Sequence, residues 1–62
     1  MRIKLNGQPH VVEEGATLQD LLPSARGCAA ALNGAIVPAA SWESTRLSEK
    51  DAVEVVTAHQ GG

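Results

Sequence analysis

The stretch Cys28-Ala29-Ala30-Ala31-Leu32-Asn33-Gly34-Ala35-Ile36-Val37-Pro38 can be read in two ways, and the choice decides the fold. Alanine is the strongest helix former, so propensity alone makes Cys28 to Leu32 helical. The Asn33-Gly34 pair argues otherwise. Both central residues of a two-residue type I′ turn need positive φ, and Asn-Gly is a favoured pair for it. With a hairpin signal on its far side and only a short length, the apolar run reads as a strand. Its small side chains suit packing close beneath a helix.

A second Asn-Gly pair stands near the start. In MRIKLNGQPHVV, Met1, Ile3 and Leu5 alternate with Arg2, Lys4 and Asn6, the period of a half-buried strand. A two-residue turn at Asn6-Gly7 sets Leu5 opposite Gln8, Ile3 opposite His10 and Met1 opposite Val12. Pro9 has no backbone donor, which places the second strand at the sheet's edge.

Between the hairpins, EEGATLQDLL opens a helix. Thr17 is suited to the N-cap, with Asp20 three residues on as its capping-box partner. Leu18, Leu21 and Leu22 fall on one face. Pro23 disfavours αR at Leu22 and removes a donor, so a short helix ends or kinks there, with Gly27 marking the exit. After Pro38 the chain has neither period and reads as a loop with room for one helical turn. Trp42 is expected to fold in over the core with its indole N–H on a backbone carbonyl, and Leu47 to tuck in as well. SEKD is a turn. In AVEVVTA, Val53 and Val55 face one way and Glu54 the other, while Val56 suggests partial burial of the second face, as in a central strand.

The order strand, strand, helix, strand, short strand, loop, strand predicts an α+β fold of the β-grasp, or ubiquitin-like, type. A mixed four- to five-stranded sheet packs on one short helix, with the first and last strands as central neighbours.

Composition narrows the function. Sixty-two residues make one domain at most. The single cysteine excludes an intrachain disulfide, and no zinc-ligand spacing occurs. The apolar fraction of 44% is mostly Ala, Val, Leu and Ile, with Trp42 the sole aromatic, so little room remains for a buried active site. A net charge of −2 without a basic stripe argues against nucleic acid as a partner. No apolar run approaches membrane-spanning length, and no leader pattern is evident, so a cytoplasmic location and no membrane partner are expected. No nucleophile–base or carboxylate pair sits at workable spacing, so the chain is not expected to be an enzyme.

The end, Thr57-Ala58-His59-Gln60-Gly61-Gly62, bears on function most directly. Two terminal glycines arise by chance roughly once in two hundred chains at the average glycine frequency. Glycine lacks Cβ, so Gly61 and Gly62 can pass a narrow channel and adopt φ values closed to other residues. Six extended residues reach on the order of 20 Å. The alternative is a frayed terminus.

Taken together, the NG after the first strand, GATLQDLL, ALNGAIVP followed by Trp42, and VEVVTAHQGG resemble the thiamine-biosynthesis sulfur carrier proteins, the ThiS family, along essentially the whole chain. The resemblance implies a single carrier domain over 1–62 with 58–62 a flexible tail. It implies a protein co-substrate whose Gly62 carboxylate is adenylated by an E1-like adenylyltransferase using ATP and Mg²⁺, with no cofactor bound to the carrier itself. Sulfur from a cysteine desulfurase relay then replaces AMP, and a thiazole synthase takes it from the C-terminal thiocarboxylate. Carried onto this chain, Gly62 is the modified group, Gly61 the spacer, and Ala58, His59 and Gln60 contacts within the partner's channel.

Other residues have modest readings. Cys28 is either a small apolar strand residue or a sulfur relay, and the family needs no carrier cysteine. His10 is a half-covered edge-strand side chain. Arg2 and Lys4 form an exposed face. Glu13, Glu14, Glu43, Glu49 and Asp51 either dock on a basic partner surface or are merely solvated. Two positions depart from the family pattern: Ala39 stands where Arg commonly follows the proline, and Lys50 where Gly usually precedes Asp51. Rival readings are a carrier for molybdopterin or a specialised metabolite, a ubiquitin-like modifier joined to lysines, and an inert β-grasp adaptor.

Overall fold

Both Asn-Gly pairs turn the chain back on itself. In the computed structural model, which describes residues 1–22 and 27–57, β1 (Arg2–Leu5) passes through Asn6-Gly7 into β2 (Gln8–Val11). In the same way β3 (Cys28–Leu32) passes through Asn33-Gly34 into β4 (Ala35–Val37). The turn residues have φ of 51° and 81° in the first pair and 51° and 87° in the second, so all four are left-handed as the type I′ turn requires. Leu5 pairs with Gln8 and Ile3 with His10, and Val12 N–H donates to the Met1 carbonyl at 2.9 Å. The expected hairpin register therefore holds, and turn chemistry outweighs alanine's helical preference at 28–32.

The last strand, β5 (Ala52–Thr57), lies at the centre of a five-stranded sheet ordered β2-β1-β5-β3-β4. It runs parallel to β1, with Lys4 beside Ala52 and Leu5 beside Val53, and antiparallel to β3, with Cys28 opposite Thr57. Pro9 sits in the margin strand β2, where its missing donor faces no neighbour. Both turn asparagines also grip β5. Asn6 Oδ1 accepts from Val55 N–H at 2.8 Å, and Asn33 Oδ1 accepts from Ala52 N–H at 2.9 Å. Each hairpin turn is thus stitched by its side chain to the strand between the two hairpins.

One short helix, α1 (Leu18–Leu21), covers the inner face. Thr17 caps it: Asp20 N–H donates to Thr17 Oγ1 at 3.3 Å and Thr17 N–H to Asp20 Oδ2 at 3.0 Å, the reciprocal arrangement read from the sequence. Leu22, ahead of Pro23, has left αR at φ −125°, ψ 78°. Pro23 itself lies outside the described residues, and Gly27 resumes the chain at φ 71°. A 3-10 helix at Ala39–Ser44 forms the second piece of the cover, longer than the single turn expected after Pro38. The two pieces are tied where Leu18 N–H meets the Thr45 carbonyl at 2.9 Å and Leu47 N–H meets that of Ala16 at 2.8 Å.

Ile3, Leu18, Ala30, Trp42, Leu47 and Val53 form the buried core. Trp42 is fully enclosed, and its indole Nε1–H donates to the Val37 carbonyl at 2.9 Å, so the largest apolar surface is buried with its one polar atom satisfied. Val55 packs at the core's edge, but the expectation for Val56 fails: it is 66% exposed. Both faces of a central strand are buried only when both are covered, and this chain places its helices on one. Val56 therefore points outwards into solvent.

The turn at 48–51 corrects the reading of two acidic residues. Asp51 Oδ2 accepts from Ser48 N–H at 2.7 Å and Oδ1 from Asn33 Nδ2 at 3.0 Å, while Glu49 Oε1 accepts from Arg2 N–H at 3.0 Å. Both carboxylates hold the turn against β1 and the second hairpin, which no short-range pattern reveals. Asp51→Ala is expected to lower stability by about 1–2 kcal/mol, since two donors lose a charged acceptor; urea titration measures it, and an unchanged midpoint contradicts this role.

Lys50, third in the same turn, has φ of 73°, a conformation that glycine takes without cost and lysine does not. The strain is about 1 kcal/mol, partly offset because glycine is more flexible when unfolded. Lys50→Gly is expected to leave the thermal midpoint unchanged or to raise it by up to about 5 °C in a domain this small. A clear fall would show that the lysine side chain stabilises the turn.

Candidate functional site

The candidate site begins at Thr57, the last residue of the central strand. The predicted site residues themselves, Ala58, His59, Gln60, Gly61 and Gly62, lie outside the described residues. What the fold defines is their point of departure. Along β5, the pairing with β1 reaches only Val53, and beyond it the Asn6 side chain holds Val55. The pairing with β3 continues to the end, Thr57 against Cys28 and Val56 against Ala29. The root of the segment that follows is therefore a strand held on both sides at its start and on one side at its end.

The surroundings of this root are apolar and open. Val56 and Thr57 are exposed, and on the outer face of Val56 lies Ile36, 73% exposed. Ala31 joins them, opposite Ile36 in β4 and opposite Glu54 in β5. An exposed apolar strip beside the departure point is what a partner surface would cover. Sequence reading missed it because Val56 was assigned to burial.

The other candidates are dispersed. Cys28 is half-buried, unpaired and packed against the core's edge, in keeping with a small apolar strand residue, although its register places it beside Thr57. His10 is exposed and not half-covered: strand β2 ends the sheet, and α1 is too short to shield it. It borders an open groove of about 530 Å³ with Glu13, Glu14 and Asp20. Asp20 is committed to the helix cap, and Glu14 lies 3.9 Å from the terminal ammonium of Met1. Among the described residues no cluster of His, Cys, Asp and Glu is placed to hold a metal ion, and no helix is long and apolar enough to cross a membrane. Arg2 and Lys4 are exposed as read, and Ala39, exposed at the start of the 3-10 helix, offers no side-chain contact where the family's arginine would stand.

Comparison with known proteins agrees with this geometry. The chain superposes on the crystal structure of the thiamine biosynthesis protein ThiS from Geobacter metallireducens with a TM-score of 0.85 and 28% identity, all of each chain being covered. No curated protein sequence matches it significantly. The pattern of the ThiS family matches residues 3–62, from the first strand to the terminal glycine. With the five-stranded sheet and its small helix, that match over nearly the whole length establishes that the chain belongs to the ThiS family.

Proposed function

We propose that this protein is a sulfur carrier of thiamine biosynthesis, a co-substrate and not a catalyst, whose Gly62 carboxylate is converted to a thiocarboxylate. The observation that supports the reading is the family match running through to residue 62 on a fold whose central strand ends at Thr57.

The chemistry follows from the carboxylate. Charge and resonance make it a poor electrophile, so it needs a leaving group before sulfur can attack. A carboxylate oxygen of Gly62 attacks the α-phosphorus of ATP, held with Mg²⁺ by an E1-like adenylyltransferase, and pyrophosphate leaves. The terminal sulfur of a cysteine persulfide, supplied by a desulfurase relay, attacks the acyl carbon and displaces AMP. A second thiol then cleaves the sulfur–sulfur bond and leaves the thiocarboxylate, from which a thiazole synthase takes the sulfur. This chain's contribution is reach and slimness. From Thr57 the extended tail spans on the order of 20 Å, and Gly61 and Gly62 put no side chain in the way. Ala58, His59 and Gln60 make contacts within the partner's channel. The carrier itself binds no cofactor.

The test is carrier-dependent exchange of labelled pyrophosphate into ATP by the source organism's E1-like adenylyltransferase. Exchange that needs the carrier is expected. Its absence with a folded carrier and an active enzyme overturns the proposal.

A further inference from the structure

The outer face of the sheet carries a second feature besides the apolar strip. At the end of β5 remote from the tail, an open pocket of about 370 Å³ is bordered by Arg2, Lys4, Lys50 and Pro9, with Ile3 and Glu49 completing its wall. In a chain of net charge −2, three of the five cationic side chains meet here. The lone carboxylate among them, Glu49, already accepts from Arg2 N–H at 3.0 Å. The single ion pair among the described residues joins Met1 and Glu14 elsewhere, so none of the three cations is neutralised by a salt bridge within the described fold. All three cations are exposed, so they attract a partner's carboxylates through solvent in a salt-sensitive way. Lys50 reaches this position from a left-handed residue in a turn that glycine would form without strain.

We propose that Arg2, Lys4 and Lys50 form a docking point for a cluster of acidic side chains on the activating adenylyltransferase. The inference rests on the carrier reading and adds the partner's chemistry to it. Along Ala52–Thr57, about 20 Å of strand separates this corner from the root of the tail. The partner therefore presents an acidic patch at about that distance from the mouth of its channel, with apolar surface at the mouth itself to meet the exposed Val56. Such a pair of contacts orients the carrier before its terminus enters, and it acts on encounter and affinity without touching the chemical step.

Steady-state charging by the adenylyltransferase tests it with the full-length carrier. Arg2→Glu/Lys4→Glu is expected to raise KM for the carrier by about tenfold with kcat unchanged, and to flatten the dependence of kcat/KM on salt. Both side chains point away from the core, and a thermal melt checks that the variant is folded. Lys50→Gly removes one charge and relieves strain, so folding is not at risk, and about a threefold rise in KM is expected. Unchanged KM in both variants overturns the docking point, as does a fall in kcat at constant KM. Either result leaves the carrier reading standing, because wild-type charging remains intact; loss of wild-type charging sinks that reading instead.

Discussion

Removing Gly62 alone abolishes ATP-dependent sulfur transfer to the protein and leaves its thermal midpoint unchanged: that is the expected result, and the largest functional effect of any single change in the chain. The reasoning is geometric and chemical. Deletion leaves a carboxylate on Gly61, chemically equivalent but about 3.5 Å short of the nucleotide's α-phosphorus. Displacement by that much removes the near-attack geometry on which most of the rate depends, and a 1 Å misplacement alone can cost about a hundredfold. Stability is untouched because the core is complete within residues that precede the tail. Charging rates followed with a saturating adenylyltransferase decide the matter. If the truncated carrier is charged at a rate near that of the intact protein, the assignment of Gly62 is wrong.

The largest structural effect is expected at Trp42. It is the one aromatic side chain and is completely enclosed. Truncation of a buried tryptophan to alanine costs about 3–5 kcal/mol through lost burial and the cavity left behind. A domain of this length has only about 3–9 kcal/mol in total. Trp42→Ala is therefore expected to lose half or more of the domain's stability, and urea unfolding followed by circular dichroism measures the loss. Trp42→Phe retains most of the apolar volume and withdraws only the donor from the Val37 carbonyl, for a smaller cost of about 1–3 kcal/mol. A Trp42→Ala protein that melts within a few degrees of wild type would mean that the core does not depend on this side chain.

Much of this architecture was legible because its instructions are local. Asn6-Gly7 and Asn33-Gly34 each prescribe a turn and with it a register, Thr17 and Asp20 prescribe a helix start, and Pro9 prescribes an edge. Trp42 was legible for another reason, since a lone indole in so small a chain has nowhere else to go. What escaped depends on residues far apart in sequence. Asn6 reaches Val55 and Asn33 reaches Asp51 and Ala52 through their side chains, and nothing in either pair's surroundings foretells it. Val56 misled because an apolar residue on a central strand means burial only if a second layer exists, and the chain is too short to supply one. Glu49 and Asp51 read as docking or solvated charges because their distant partners, the Arg2 amide and the Asn33 side chain, are brought near only by the fold. At the site, the proposal for Gly62 rests on the terminal glycines and the family likeness. The structure adds the strand that ends at Thr57, paired there with Cys28.

Fragmentation mass spectrometry of the intact carrier, after incubation with ATP, Mg²⁺, the adenylyltransferase and a persulfide donor, tests the central claim most directly. The account predicts replacement of one oxygen by one sulfur, confined to the fragment that contains Gly62. Sulfur found on Cys28, a product conjugated to another protein, or no change in mass would each contradict it.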